Sequence, residues 1–126
     1  MRRRTFILIV EDNPGNQMLA SAVLEREGYE VGLAESSVQA LERVAAHPPD
    51  LILMDVQLPG MDGLSLTKLL KSASETAAIP IVALTAHAMS GDREQALDAG
   101  CIAYISKPID TRTFADQIRE ILGQSR

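Results

Sequence analysis

The stretch DLILMDVQLPGMDG, residues 50–63, decides the fold. Four apolar residues, Leu51 to Met54, lead directly into a lone carboxylate at Asp55, and a loop rich in proline and glycine follows. A short apolar run bounded by turn residues is typical of a strand that is buried on both faces. Asp55 is therefore predicted at the carboxyl end of a buried strand, where the strand would hold its side chain beside an open loop.

Similar apolar runs alternate along the chain with segments of helical length. The predicted strands are FILIV (6–10), YEVGLA (29–34), LILMDV (51–56), IPIVALT (79–85) and CIAYIS (101–106). The predicted helices cover 14–27, 36–47, 64–74, 88–99 and 111–122, with Asn13 and Ser36 as candidate caps of the first two. Parallel strands need crossover connections, so this alternation predicts an α/β fold with a parallel five-stranded sheet between helices.

Length and charge limit the classes of function. A chain of 126 residues is long enough for one domain with its own core, and a formal charge of -5 argues against a nucleic-acid surface. The sequence contains no apolar stretch of the roughly 18 residues that a membrane helix needs. Its one cysteine, Cys101, has no partner for an internal disulfide, so we expect a reducing, cytoplasmic location.

Polar side chains gather at the carboxyl ends of four predicted strands, the edge at which open α/β sheets bind ligands. They are Glu11 and Asp12 after the first strand, Asp55 after the third, Thr85 at the end of the fourth and Lys107 after the fifth. Three carboxylates in one partly desolvated pocket raise one another's pKa unless a cation neutralises them. Oxygen ligands of this kind suit Mg²⁺, and the lysine supplies a further positive charge.

This set of residues predicts a phosphoryl acceptor. Asp55 would be the nucleophile, the metal would spread the developing charge, and Thr85 and Lys107 would hold the remaining phosphoryl oxygens. A single acid at a strand end is most often a helix cap or a solvated loop residue, but that explanation does not extend to four strand ends. Asp62 is expected to cap the third helix, and Gly60 and Gly63 to serve the turn before it.

Four segments resemble the receiver domain of bacterial two-component response regulators, a CheY-like domain. They are VEDNPGN (10–16), LILMDVQLPGMDG (51–63), IVALTAHAM (81–89) and AGCIAYISKPI (99–109). With their spacing they span essentially the whole chain, so one receiver domain over 1–126 is expected. The resemblance implies a flavodoxin-like, three-layer (βα)5 fold of strand order 2-1-3-4-5. It also implies phosphoryl transfer to Asp55 from a sensor histidine kinase or a histidine phosphotransfer protein.

The resemblance further implies which residues bind the metal and tune the reaction. Asp12 would bind Mg²⁺ directly and Glu11 largely through water, while Asp55 and the backbone carbonyl of Gln57 would complete the protein ligands. The side chains of Gln57 and His87 would flank the path of the attacking water and set the lifetime of the phosphorylated state. His87 can also be interpreted as a metal ligand or general base, but no second histidine or cysteine has a suitable spacing from it.

A conformational switch is also implied. The hydroxyl of Thr85 would move to the phosphoryl group, and the ring of Tyr104 would turn inward to fill the vacated space. Such a change is a shift between conformations that the free protein already samples. Lys107 would contact the phosphoryl group, and its peptide bond to Pro108 would be cis, a conformation essentially restricted to bonds before proline.

Two surfaces are candidates for partners. On the first helix, Met18 and Ala22 lie opposite the apolar stripe with a spacing that places them on one exposed face, where we expect a kinase helix to dock. The face formed by helix four, strand five and helix five is the expected output surface. The expected assembly is a monomer or a weak, phosphorylation-dependent dimer.

Three rival functions remain at this point. An aspartyl phosphatase-like hydrolase also uses a nucleophilic acid on an α/β sheet, but it generally has a second acid two residues later, where this chain has Gln57. A dinucleotide-binding module would need the glycine spacing that EDNPGN, residues 11–16, lacks. A receiver that signals without phosphorylation would not need the complete set of acids, hydroxyl and lysine. The preferred interpretation is a phosphoacceptor whose only chemistry is its own phosphorylation and dephosphorylation.

Overall fold

Five strands and five helices alternate in the computed structural model, which describes residues 4–86 and 90–125. The strands are β1 (Phe6–Val10), β2 (Glu30–Ala34), β3 (Leu51–Asp55), β4 (Ile81–Thr85) and β5 (Ala103–Ser106). The helices are α1 (Pro14–Arg26), α2 (Ser37–Ala46), α3 (Gly63–Ser72), α4 (Ser90–Ala99) and α5 (Phe114–Ser125). None of the helices in these two ranges has the length and apolarity to cross a bilayer.

The strands form one parallel sheet of order β2-β1-β3-β4-β5. This confirms the predicted fold. All residues of β1, β3 and β4 are buried, and their side chains alternate between two cores. In β1, Ile7 and Ile9 face the core that α1 and α5 cover, while Leu8 and Val10 face the core under α2, α3 and α4. An unbroken apolar run is what a strand with helices on both faces requires.

The first helix is positioned by its cap and by its apolar stripe. The side chain of Asn13 accepts a hydrogen bond from the backbone N–H of Asn16 at 3.0 Å, and Pro14 occupies the first helical position, where no N–H is needed. The buried residues of the helix are Gln17, Ala20, Val23 and Leu24. Burial of the polar Gln17 was not expected from the sequence.

Several boundaries differ from the sequence prediction: β4 and β5 each begin two residues later than predicted, and α3 ends at Ser72, two residues earlier. Helix α5 is predicted over 111–122 but begins at Phe114, because residues 111–113 form a turn. In that turn the N–H groups of Thr113 and Phe114 both donate to the carbonyl oxygen of Asp110, at 3.1 and 2.9 Å. The helix then continues through Gly123, which lacks the left-handed φ with which a glycine commonly ends a helix. Helix α3 begins one residue earlier than predicted, at Gly63.

Asp62 caps α3, and its removal provides a test of this cap. One carboxylate oxygen accepts from the N–H groups of Leu64 and Ser65, both at 3.0 Å, and the other accepts from the Ser65 hydroxyl at 2.9 Å. We expect Asp62→Ala to lower the free energy of unfolding by about 1 kcal/mol, as loss of an N-cap acceptor does. Asp62→Asn keeps an acceptor and should lose much less. Urea denaturation measures both, and equal stabilities for the alanine variant and the wild type would contradict the assignment.

Candidate functional site

Strand register brings the predicted acids together. Val10 of β1 lies opposite Met54 of β3, so the next residues, Glu11 and Asp55, end neighbouring strands side by side. Both are buried, at 1% and 3% exposure, whereas Asp12 is exposed. Carboxylate oxygens of these three acids lie within 4.8 Å of one another. The carboxyl edge of the sheet therefore carries a compact acidic cluster that is open on the side of Asp12.

Lys107 lies between the two buried acids. Its Nζ is 2.8 Å from Oε1 of Glu11 and 3.1 Å from Oδ1 of Asp55. Each carboxylate also accepts from a backbone N–H two residues later: Gln57 donates to Asp55 Oδ1 at 3.0 Å, and Asn13 donates to Glu11 Oε2 at 3.1 Å. Two buried carboxylates thus share one ammonium group, and the cluster keeps a net negative charge.

The environment shifts the pKa of each of these groups. Burial raises the pKa of Asp55 to about 6; the N–H of Gln57 opposes this rise, and the neighbouring Glu11 adds to it. Burial also acts to raise the pKa of Glu11, but hydrogen bonds from Lys107 and from the N–H of Asn13 outweigh it, so that pKa is lowered. Burial acts to lower the pKa of Lys107, but its two acidic partners raise it. Asp55 is thus the more basic of the two buried carboxylates.

The ends of β4 and β5 bring Thr85 next to Lys107. Thr85 is buried, pairs in register with Ser106, and accepts the backbone N–H of Lys107 on its carbonyl oxygen at 2.8 Å. The Lys107–Pro108 peptide bond is cis. A hydroxyl residue and the lysine are thus held side by side at the edge that carries the acids.

Tyr104 lies further from this edge than Thr85. It pairs in register with Ala83, two residues before the end of β4, and its side chain is half-buried against the core under α2, α3 and α4. The guanidinium of Arg93, on α4, lies over its ring. His87, the other residue that the sequence assigns to the reaction, lies outside the described residues.

Gly63 lies against the backbone at the end of β3, a role that the sequence analysis did not assign to it. It is the first residue of α3, and its N–H donates to the carbonyl oxygen of Val56 at 2.9 Å. A Cβ atom at this position would lie 2.0 Å from the carbonyl oxygen of Asp55. Gly60, by contrast, has a φ of 81° and serves the turn as expected. Only glycine lets α3 begin this close to the end of β3.

Gln17 is a second residue that the sequence interpretation missed. Its side-chain amide donates to the backbone carbonyl of Glu11, so it fixes the chain where β1 enters the site. A signal was present: Gln17 precedes Ala20 and Leu24 by three and seven residues, the spacing of one helix face. A polar residue in an otherwise apolar stripe indicates a buried hydrogen bond.

The predicted docking residues lie apart from the acids, on α1. Met18 is 72% exposed and Ala22 is exposed one turn later. The side chain of Gln57 is also exposed, at the mouth of the acidic cluster. The structure therefore presents these three side chains to solvent.

Comparison with known proteins agrees with this arrangement. The model of the response regulator receiver domain family matches residues 7–119. The polar-differentiation response regulator DivK of Brucella ovis is 46% identical over 119 residues, which cover 94% of this chain and 97% of DivK. This chain is also similar to solved structures.

Two of those structures bear on the site. The receiver domain of a sensor histidine kinase from Pseudomonas aeruginosa, with a magnesium ion in its active-site cleft, is 38% identical with a TM-score of 0.86. The match covers 96% of this chain and 99% of that one. A CheY-like receiver domain protein from Methanospirillum hungatei is 29% identical with a TM-score of 0.88, covering 98% and 97% of the two chains. The chain belongs to the response regulator receiver domain family, and its function is that of a receiver in a two-component system.

Proposed function

We propose that Asp55 accepts a phosphoryl group from a histidine of a sensor histidine kinase or of a histidine phosphotransfer protein. The observation that carries this proposal is the Lys107 ammonium, placed 2.8 Å from Glu11 and 3.1 Å from Asp55. A cation held there is already in position for the negative charge that a phosphoryl group brings. The Pseudomonas aeruginosa neighbour is itself part of a sensor histidine kinase, which supports a phosphodonor of this class.

In the transfer step, a carboxylate oxygen of Asp55 forms a bond to phosphorus. The P–N bond to the donor imidazole breaks, and its electron pair returns to the ring nitrogen. A pKa of about 6 leaves this carboxylate mostly ionised at neutral pH, yet more basic than an exposed aspartate. The N–H of Gln57, 3.0 Å from Oδ1, fixes the orientation of the carboxylate for the attack.

The acidic cluster fits a magnesium ion. Its donor atoms are all oxygens, and its two buried acids share one ammonium, so a net negative charge remains for a divalent cation to neutralise. We assign Asp12 and Asp55 as direct ligands, Glu11 as a ligand largely through water, and the backbone carbonyl of Gln57 as the last protein ligand. When bound, the ion supplies charge stabilisation at the phosphoryl oxygens.

Phosphorylation would be read out through β4 and β5. Lys107 and the hydroxyl of Thr85 contact the phosphoryl group in this proposal, and the ring of Tyr104 turns inward as the hydroxyl moves. Thr85 and Tyr104 lie on adjacent strands with side chains on the same face, since their register partners are offset by two residues. The face of α4, β5 and α5 then changes shape and controls a partner protein.

The proposed docking surface for the phosphodonor is inferred from side chains that are exposed to solvent. We propose that the phosphodonor docks on α1 at Met18 and Ala22, which are exposed on the helix that follows Glu11 and Asp12 in the chain. Gln57 and His87 would set the lifetime of the acyl phosphate by flanking the approach of water. The proposed assembly is a monomer or a weak dimer that depends on phosphorylation.

The proposed chemistry stops at the domain's own phosphorylation and dephosphorylation. Gln57 is an exposed amide at the position where an aspartyl phosphatase carries its general acid, so turnover of added phosphoesters is not expected. We also propose a cytoplasmic location. Cys101 is a free, buried thiol in contact with the Thr67 hydroxyl, and burial raises its pKa, which suits a structural thiol in a reducing compartment.

Intact-mass spectrometry after incubation with acetyl phosphate tests the proposed function. The wild type should gain one phosphoryl adduct when Mg²⁺ is present and none in EDTA, because the acidic cluster needs the cation. Asp55→Asn should gain no adduct, since an amide is not a nucleophile towards phosphorus. Asp98→Asn, which removes an exposed acid of α4, should behave as the wild type.

Two results would contradict the proposal. One is an adduct on Asp55→Asn equal to that on the wild type, which would place the acceptor elsewhere. The other is the absence of an adduct on the wild type with Mg²⁺, with beryllofluoride also failing to bind. Folding of each variant is checked by circular dichroism, so that loss of an adduct is not confused with loss of the fold.

A further inference from the structure

One contact of the proposed switch residue lies outside the site described so far. The guanidinium carbon of Arg93 lies 5.7 Å from the centre of the Tyr104 ring, within the range of a cation–π interaction. Arg93 is exposed on α4, whereas Tyr104 is half-buried on β5. The contact therefore joins the helix and the strand that form the proposed output surface.

The residue of β4 that lies opposite Tyr104 has a small side chain. This residue is Ala83, which is fully buried and has the smallest side chain of the strand. Thr85 follows two residues later on the same strand and has its side chain on the same face. A ring that turned towards Thr85 would pass an alanine, and it would leave the guanidinium of Arg93.

We propose that Arg93 is a positioning residue that retains the Tyr104 ring in its half-exposed position and thereby opposes the phosphorylated conformation. This inference rests on the proposed function, because it needs the ring of Tyr104 to turn inward when Asp55 is modified. Arg93 touches no reacting atom. Its effect passes entirely through the population of the two ring positions.

Thermodynamic linkage gives the size of the effect. A ligand that favours the inward ring binds more tightly when more molecules already have the ring turned inward. A cation–π contact at an exposed site corresponds to about a two- to fivefold change in such a ratio. Loss of the Arg93 contact should therefore tighten binding of beryllofluoride, a phosphoryl analogue, by about two- to fivefold.

The variants Arg93→Gln and Arg93→Lys distinguish the effect of the contact with the Tyr104 ring from the effect of the positive charge. Glutamine removes the cation but keeps a long polar side chain, so it should have the full effect. Lysine keeps the charge but lacks the planar guanidinium that stacks on a ring, so its effect should be smaller and in the same direction. Arg43→Gln matches the charge change and should have no effect, because Arg43 is exposed on α2, which packs against β2 at the opposite edge of the sheet from β5.

Fluorine NMR reports the ring directly. The chain has two tyrosines, so 3-fluorotyrosine in a Tyr29→Phe background gives a single resonance from Tyr104. In the absence of ligand, Arg93→Gln should move this resonance towards its position in the complex with Mg²⁺ and beryllofluoride. The same titration gives the beryllofluoride dissociation constant for each variant.

A double-mutant cycle completes the test. In a Tyr104→Leu background, Arg93→Gln should no longer change beryllofluoride affinity, because its target ring is gone. The inference is overturned if Arg93→Gln leaves both the resonance and the affinity unchanged, or if the affinity gain persists without Tyr104. Failure of the proposed function gives a different result: beryllofluoride then does not bind the wild type, or binds without moving the Tyr104 resonance.

Discussion

Gly63→Ala should cost about 3 kcal/mol of unfolding free energy or more, a large effect for the addition of one methyl group. The added Cβ would lie 2.0 Å from the carbonyl oxygen of Asp55 and 3.0 Å from the Cα of Val56. These are backbone atoms of a central strand and of the residue after it, so neither can rotate away as a side chain would. Relief requires α3 to move off the end of β3, which breaks the 2.9 Å hydrogen bond from Gly63 to Val56.

Gly123→Ala is the matched control. Gly123 lies within α5, and a Cβ there would meet no atom within 4 Å. Since alanine is a better helix former than glycine, the free energy of unfolding of this variant should be about 0.5–1 kcal/mol higher than that of the wild type. Chemical denaturation of both variants measures the difference. A loss for Gly63→Ala of less than about 0.5 kcal/mol would show that the close approach of α3 to Asp55 does not constrain the protein in solution.

The second large effect is a pH-dependent gain in stability for Asp55→Asn. The pKa of Asp55 rises from 3.8 to about 6 on folding, so the folded state holds its proton more tightly than the unfolded state. The contribution of Asp55 to the stability of the folded state is therefore present at low pH and is lost as the pH rises through 6. A shift of about two pKa units corresponds to about 3 kcal/mol, and asparagine, which has no charge to bury, avoids the loss.

In EDTA, we expect the free energy of unfolding of the variant to equal that of the wild type near pH 4. At pH 8 it should be about 2–3 kcal/mol higher than that of the wild type. Of the other groups of the site, Lys107 acts outside this pH range and Glu11 acts only at its lower end. The pKa of Glu11 is lowered, so its contribution is lost only as the pH falls below its usual value, and that of Lys107 is raised, so its contribution is lost only at high alkaline pH. Urea denaturation at several pH values measures the difference.

Asp98→Asn provides the control for charge alone. It removes an acid from the exposed surface of α4 and should show no comparable rise between pH 4 and pH 8. A constant difference between Asp55→Asn and the wild type over this range would mean that Asp55 ionises in the fold as it does in the unfolded chain. The burial of its carboxylate would then have no energetic consequence.

Most of the fold could be predicted from the pattern of apolar residues and from the residues that begin and end helices. Unbroken apolar runs identify the doubly covered strands, and caps such as Asn13 and Asp62 identify helix starts. The errors in the fold are confined to the ends of helices and strands. Before α5, the N–H groups of residues 113 and 114 donate to the carbonyl oxygen of Asp110 in a turn. The composition of this segment does not decide between this hydrogen-bond pattern and that of a helix.

The candidate site could be predicted only in part, for a different physical reason. Acids and a lysine at strand ends are visible in the sequence because the edge of a parallel sheet collects them. Gly63 is not visible in this way, because its role depends on the distance between α3 and β3, which is a property of packing. Arg93 is not visible either, since its contact with Tyr104 depends on how α4 lies against β5.

The register of the sheet determines when the candidate site is complete. Glu11, Asp55, Thr85 and Lys107 come from strands that are far apart along the chain and meet only when β1, β3, β4 and β5 have all paired. Under the proposed function, acceptance of a phosphoryl group would therefore require all four of these strands to be paired, and phosphorylation would report a completed sheet.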